Sequence, residues 1–392
     1  GGHSPAGFVR RLELPPGPGN PRNSEGAFAR LKDGSILFAY TRFTGTSAAD
    51  NGTAHIASRV SRDGGISWSR SDKTEIMFDG DGENIMSVSL LRLKSGALAI
   101  FYAKKNSQWD CRPVMRVSGD EAASWGTMRY CVSDSDRAYY TLNNDRAVRL
   151  KTGRIVLPLS RFKTLKDGAG WDESGEILCA LSDDDGQNWR LGKGIRGFAP
   201  DGRRVRMQEP GAIEMKSGRL LVWARTDDGR QYRMFSDDGG ETLSAAKPWN
   251  LLSPLSPASV KRLSDGRLIA LWNDHGRHPE YAKGSKAIPP RYRRVSQWGN
   301  GHRAPLTIAV SFDDGEIWSD CIDLETDPEG FYCYTAVLED GKRLLLGYCA
   351  RDELAHSRIS TFDLSGLPAP GMNRHTEKPF PKKATDTFNR RR

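Results

Sequence analysis

Cysteine is too scarce here for a disulfide-built protein, at six residues in 392. No CxxC or HExxH occurs, which removes the usual signatures of a structural or catalytic zinc site, and neither a metal nor a cofactor is called for. Long apolar runs are missing, so no membrane-spanning helix is expected. The opening residues, GGHSPAGF, have no charged stretch followed by an apolar core, so no leader peptide is written there. Basic and aromatic residues are not interleaved in any run and no nucleic-acid motif occurs, which argues against nucleic acid as a partner. The 58 basic residues nevertheless outweigh the 49 acidic ones, for a net charge of +9. Part of that excess lies in the tail PKKATDTFNRRR; the rest favours an acidic ligand. Cys179 and Cys349 sit in strand-like runs and read as core. Cys111, Cys131, Cys321 and Cys333 are available to pair, and their spacing leaves the pairing open.

What the chain does have is repetition. A hairpin signature recurs six times: LKDGSILFAY from Leu31, LKSGALAIFY from Leu93, LKTGRIVLPL from Leu150, MKSGRLLVWA from Met215, LSDGRLIALW from Leu263 and LEDGKRLLLGY from Leu338. In each, two apolar runs flank a turn that closes on glycine, the residue that takes positive φ without steric cost. Helix is barely signalled.

A second signature, S-x-D-x-G-x-x-W, follows five of these hairpins. Ser61-Asp63-Gly65-Trp68, Ser182-Asp184-Gly186-Trp189 and Ser311-Asp313-Gly315-Trp318 fit it fully. Two copies are worn: Ser118-Asp120-Trp125 has Ala122 at the glycine, and Ser236-Asp238-Gly240 ends in Leu243. The pattern is a capped turn: the carboxylate accepts from turn N–H groups, glycine takes the left-handed position and the indole packs beneath.

These repeats are Asp boxes, and their arrangement from about Arg22 to Phe362 resembles the sialidase (neuraminidase) superfamily. The resemblance implies an all-β fold, a six-bladed β-propeller with four antiparallel strands per blade. It places an N-terminal extension at 1–20, the propeller at 21–365 and a basic C-terminal tail at 366–392. The sixth blade lacks a box, and Arg358 to Phe362 is a strand available to complete it. Residues 1–20 either pack along the outside or close the ring. The longest insertion, Asp274 to Arg303, carries His275, His278, Tyr281, Tyr292 and Trp298, and is either a binding element or a solvated excursion.

Turns alternate along a meander, so the glycine turns and the boxes share one face and any common pocket lies on the other. The positions on that other rim are Arg22, Asn84, Asn143, Glu209, Ser256 and Tyr332 before the first strands, and Arg42, Lys104, Arg161, Arg225 and Asn273 after the second. Arg303 precedes a strand of the fifth blade on the same rim. First strands line a propeller axis, so these polar side chains are expected to converge.

The resemblance assigns roles to them. Sialidases hold the substrate carboxylate with three arginines; Arg22, Arg225 and Arg303 match these, and Arg42 matches a further pocket arginine. Arginine suits the work because its planar fork meets a carboxylate with two parallel bonds. Tyr332 matches the nucleophile and Glu209 its base, with Tyr334 competing because it has the same strand parity. A neutral phenol avoids the repulsion that a carboxylate nucleophile would feel beside the substrate's own carboxylate, and it needs a base because its pKa is near ~10. Asp50 matches the general acid, with Asp110 and Asp145 as substitutes. Asn84 and Asn143 complete the substrate-binding set.

Three functions fit. The first is an exo-acting retaining glycoside hydrolase, of exo-α-sialidase type, releasing a terminal acidic sugar (most simply sialic acid) from a sialoglycoconjugate. The second is a hydrolase or lyase on another uronate-type or sulfated glycan. The third is a non-catalytic glycan-binding propeller, since propellers host many functions. The resemblance implies a secreted or periplasmic setting. Oligomeric state is not written in the sequence.

Overall fold

In the computed structural model, residues 4–165, 168–282, 302–351 and 354–370 are described. The fold is all-β and propeller-like. Strands Asn23–Arg30, Ile36–Phe43, Ala54–Ser61 and Lys73–Ile76 form one four-stranded antiparallel meander. Strands Met207–Glu214, Leu220–Thr226, Arg230–Ser236 and Lys247–Leu252 form a second, and Ser259–Arg262, Leu268–Trp272, Leu306–Ser311 and Ser319–Glu325 a third. A fourth joins Cys333–Asp340, Arg343–Arg351 and His356–Asp363 to Phe8–Leu14. Residues 8–14 are therefore the outer strand of the last sheet rather than part of a separate extension.

Six separate four-stranded blades are not what the described residues form. Four four-stranded sheets are separate, Gly197–Phe198 and Arg204–Val205 make a two-stranded pair, and residues 84–191 make one nine-stranded sheet. The cause is the short strand Tyr139–Thr141, which pairs antiparallel with Ile155–Phe162 and, at Tyr139↔Cys111, parallel with Asp110–Ser118. It bridges two meanders that would otherwise stand apart.

The glycine turns and boxes behave as capped turns. Asp63 accepts from the Ser61 hydroxyl (2.8 Å) and the Ser67 N–H (2.9 Å), while Ser61 Oγ accepts from Gly65 N (2.8 Å). The same pattern recurs around Asp120, Asp184, Asp238 and Asp313. A Cβ at Gly65 would meet Leu345 of the last sheet at 2.6 Å, so this box packs tightly between neighbouring sheets. Ala122 holds φ +68 in the worn copy.

The Asn143-Asn144-Asp145-Arg146 run joins distant sheets. Asn144 Nδ2 donates to Gly26 O (2.7 Å) and Tyr334 O (3.0 Å). Asp145 Oδ2 accepts from Val337 N at 3.0 Å, and Arg146 Nη2 donates to Ala258 O at 2.8 Å. The run thereby ties strand Asn23–Arg30 to strand Cys333–Asp340 and to Ala258, which immediately precedes strand Ser259–Arg262. All six cysteines are free thiols, and Cys179 and Cys349 are fully buried.

Candidate active site

The site is made by bulges in first strands. Register slips between Asn23 and Gly26, Met86 and Ser89, Gln208 and Gly211, and Cys333 and Ala336. At each place two residues oppose one, which re-aims a side chain. Ser87 (φ 69), Glu209 (φ 52) and Tyr334 (φ 56) take the left-handed conformation at these bulges. Non-glycine residues held there cost about 1 kcal/mol or more each and cluster at functional sites.

Glu209 and Tyr334 meet. The Tyr334 hydroxyl donates to Glu209 Oε1 at 2.9 Å, and Arg225 Nη1 lies 3.0 Å from Glu209 Oε2 and 3.4 Å from the Tyr334 oxygen. Arg225 Nη2 donates to Gln208 Oε1 at 2.8 Å. Burial, with the Glu209 charge next, pushes the Tyr334 phenol far above its ordinary value against the pull of Arg225 and Arg303. Its proton therefore needs an acceptor, and Glu209 is in contact.

Both residues line a cavity of about 290 Å³ with Arg22, Glu25, Asp50, Lys105, Tyr139 and Arg225 among its walls. Arg22 is buried and holds Asp50 Oδ1 at 2.6 Å, with Glu25 Oε2 at 3.9 Å. Arg22 also lies over the Phe43 ring, 4.6 Å from its centroid. Surrounding protein works to raise the Asp50 carboxyl, but Arg22, helped by Lys105 and Arg225, holds it below the usual carboxylate range.

The other expected residues divide. Arg303 stands against the nucleophile candidate: its guanidinium is 5.6 Å from the Tyr334 ring centroid and donates to Leu255 O at 3.1 Å. Asn143 lines the cavity; it is buried, and its Nδ2 has no partner. Asn84 supports the Asp50 loop instead of facing the cavity, donating to Asp50 O (2.8 Å) and Gly52 O (2.9 Å).

Two expectations are corrected. Tyr332 is 1 % exposed and packs in the apolar core beside Tyr348, their ring centroids 6.5 Å apart. It precedes the bulge, so its side chain leaves the axis, and only its backbone serves the site, donating to Arg303 O at 2.7 Å. Arg42 shares a strand face with Tyr40 and pairs with Asp72 at 2.9 Å, away from the cavity. Of the substitutes for Asp50, Asp110 is bound to Arg112 (2.8 Å) and Asp145 to Lys261 (3.1 Å), and neither lines the cavity.

Lys105, Tyr139 and Trp171 also line the cavity, and neither the hairpin turns nor the boxes mark them. Lys105 is 6 % exposed, and its ammonium donates to Asp50 O at 3.0 Å and lies 5.4 Å from the Tyr139 ring centroid. Trp171 stacks near Tyr139 with centroids 4.3 Å apart. Glu25, which lies 3.9 Å from Arg22, also accepts from Ser87 Oγ at 3.0 Å. Strand parity alone could have suggested Lys105, two residues beyond Ala103 on the same face. In the 274–303 insertion, His275 contacts His302 O at 2.8 Å and His278 contacts Glu280 and Asp323. Tyr292 and Trp298 lie outside the described residues, as does most of the basic tail. Among the described residues no group of three or more His, Cys, Asp or Glu is placed to hold a metal, and no helix is long and apolar enough to cross a membrane.

Comparison with known structures bears on the fold. A protein of unknown function from Dyadobacter fermentans superposes with a TM-score of 0.66 at 16 % identity, over 91 % of this chain and 99 % of that one. An intramolecular trans-sialidase from Ruminococcus gnavus, solved with oseltamivir carboxylate, matches with a TM-score of 0.65 at 14 % identity over 91 % and 98 %. The Trypanosoma rangeli sialidase, solved as a covalent intermediate with 2,3-difluorosialic acid, matches with a TM-score of 0.66 at 15 % identity, over 93 % of this chain and 60 % of that one. The family model for the BNR repeat-like domain matches residues 34–346, most of the chain. With the Asp-box turns and the fold, that match makes this chain a member of the BNR repeat-like domain family, sharing its architecture with sialidases.

Proposed function

We propose that this protein is an exo-acting retaining glycoside hydrolase that releases a terminal acidic sugar, most simply sialic acid, with Tyr334 as nucleophile and Glu209 as its base. The observation that carries this reading is the Tyr334–Glu209–Arg225 contact beside a cavity that also holds Arg22. The nine-stranded sheet reads as two blades joined by Tyr139–Thr141, which makes the ring one of six.

Arg22 and Arg225 grip the sugar carboxylate, and Arg303 adds positive charge against the Tyr334 ring. Glu209 takes the phenol proton as the Tyr334 oxygen attacks the anomeric carbon, forming a covalent glycosyl–tyrosine while the aglycone oxygen leaves with a proton from Asp50. Water, giving a proton to the Asp50 carboxylate, then attacks the same carbon, Tyr334 leaves and recovers its proton from Glu209, and configuration is retained over the two displacements. Trp171 and Tyr139 offer an aromatic wall to the apolar parts of the sugar.

The test is turnover of a fluorogenic α-sialoside, with the anomer of the first-formed product followed by NMR. Release of the α-anomer is expected. An unsaturated product would favour elimination on a uronate-type glycan, and absence of turnover across a panel of acidic glycans, with binding retained, would favour a non-catalytic lectin-like role.

A further inference from the structure

Asp50 belongs to the loop between Phe43 and Ala54, and its side chain is 72 % exposed, yet its carboxylate reaches the buried Arg22 at 2.6 Å. The same Nη1 of Arg22 donates to Ala48 O at 3.3 Å, so the edge of the guanidinium that faces the loop is taken up by the loop itself. Ser24 Oγ receives the other nitrogen at 3.0 Å from within the first strand. The backbone of the loop is held separately. Asp50 O accepts from Asn84 Nδ2 (2.8 Å) and Lys105 Nζ (3.0 Å), and Gly52 O from Asn84 Nδ2 (2.9 Å).

We infer that Asp50 is a placeholder carboxylate: in the free protein it sits on Arg22 where the carboxylate of an acidic ligand binds, and ligand binding exchanges one carboxylate for the other. This rests on the reading of the cavity as an acidic-sugar site. Exchange costs less than simple opening of the loop, because loss of Asp50 alone would leave the buried guanidinium with only Glu25, 3.9 Å away, whereas swapping anions keeps the close contact filled. Asn84 and Lys105 act as positioning residues. They grip the backbone at Asp50 whatever its side chain does, so the released carboxyl stays over the cavity instead of leaving with the loop. The exchange also frees Asp50 from the cation that keeps it ionised, at the moment when a proton donor is needed. An acidic ligand would thus activate its own acid, and a ligand without a carboxylate would not.

Binding of 2-deoxy-2,3-dehydro-N-acetylneuraminic acid and of its methyl ester to the full chain and to Asp50→Asn, by calorimetry, tests this. Removing the competing anion should tighten binding of the free acid about tenfold or more and leave the ester within about threefold. A wild-type protein that binds the acid while Asp50→Asn binds it no better overturns the placeholder and leaves the site reading intact. Equal tightening of acid and ester also overturns it, since a generally looser loop would do that. If neither protein binds either ligand, the acidic-sugar reading falls and the placeholder with it.

Discussion

The Tyr334 hydroxyl lies 2.9 Å from Glu209 Oε1, and these two residues come from first strands of different sheets, each held at positive φ on a bulge. Two strained backbones are maintained so that a phenol can meet a carboxylate. Tyr334→Phe should lower turnover by on the order of 10³-fold or more, and Glu209→Gln by about 10²–10⁴-fold. Tyr332→Phe should leave turnover within a few-fold, because that ring lies in the apolar core. Steady-state kinetics beside thermal unfolding check the contrast; equal losses at 332 and 334 would contradict it.

A second contrast separates cavity arginines from peripheral ones. Arg225→Lys keeps the charge but loses the planar fork, so the substrate KM should rise about 10- to 100-fold, the equivalent of roughly 1.5–3 kcal/mol. Arg42→Lys alters a partly exposed pair with Asp72 and should leave KM unchanged. Substrate-saturation curves for the two variants decide this.

How far the sequence could be read follows from the same strands. The six glycine turns and five boxes are local patterns, and each formed where its residues said it would. Arg22, Glu209 and Arg225 lie a short way along the chain from a turn glycine, and Arg303 just ahead of a strand, which puts their positions, though not their roles, within reach of the sequence. Tyr332 and Tyr334 were not separable, because parity assumes an unbroken strand and the slip between Cys333 and Ala336 breaks it. Arg42 failed in a related way: an offset from a turn gives height along the strand but not the face. Tyr139–Thr141 is three residues long, and its pairing with two meanders depends on tertiary placement that no local pattern carries.

Ring closure offers a stability test. Glu325, 1 % exposed, accepts from Arg10 (2.7 Å), Arg358 (2.9 Å) and Tyr348 (2.7 Å), tying the first strand of the chain to the last two sheets. Glu325→Ala leaves Tyr348 without its carboxylate acceptor and Arg358 with Glu13 alone, at 2.6 Å, and should cost about 1–3 kcal/mol. Urea unfolding would report it as a lower midpoint; a loss under about 1 kcal/mol would mean that the network contributes little.

Stability should also depend on pH through His302. Burial, with His275 and Arg303 adding to it, pushes this imidazole down to about 4, against 6.5 for a free histidine. Between those values the unfolded chain binds a proton that the folded chain refuses. Stability should therefore fall as pH drops from about 6.5 towards 4, by on the order of 3 kcal/mol at most from this group. Urea midpoints at pH 7 and pH 5 should differ less in His302→Gln than in the wild type. An unchanged difference would assign the effect to other groups.

The account turns on Tyr334, and the most direct measurement is covalent trapping. The protein is incubated with 2,3-difluorosialic acid, digested, and sequenced by tandem mass spectrometry. The expected result is a single glycosyl adduct on Tyr334, lost in Tyr334→Phe and retained in Tyr332→Phe. An adduct on Tyr332 or on Glu209, or none while a sialoside is being turned over, would contradict it.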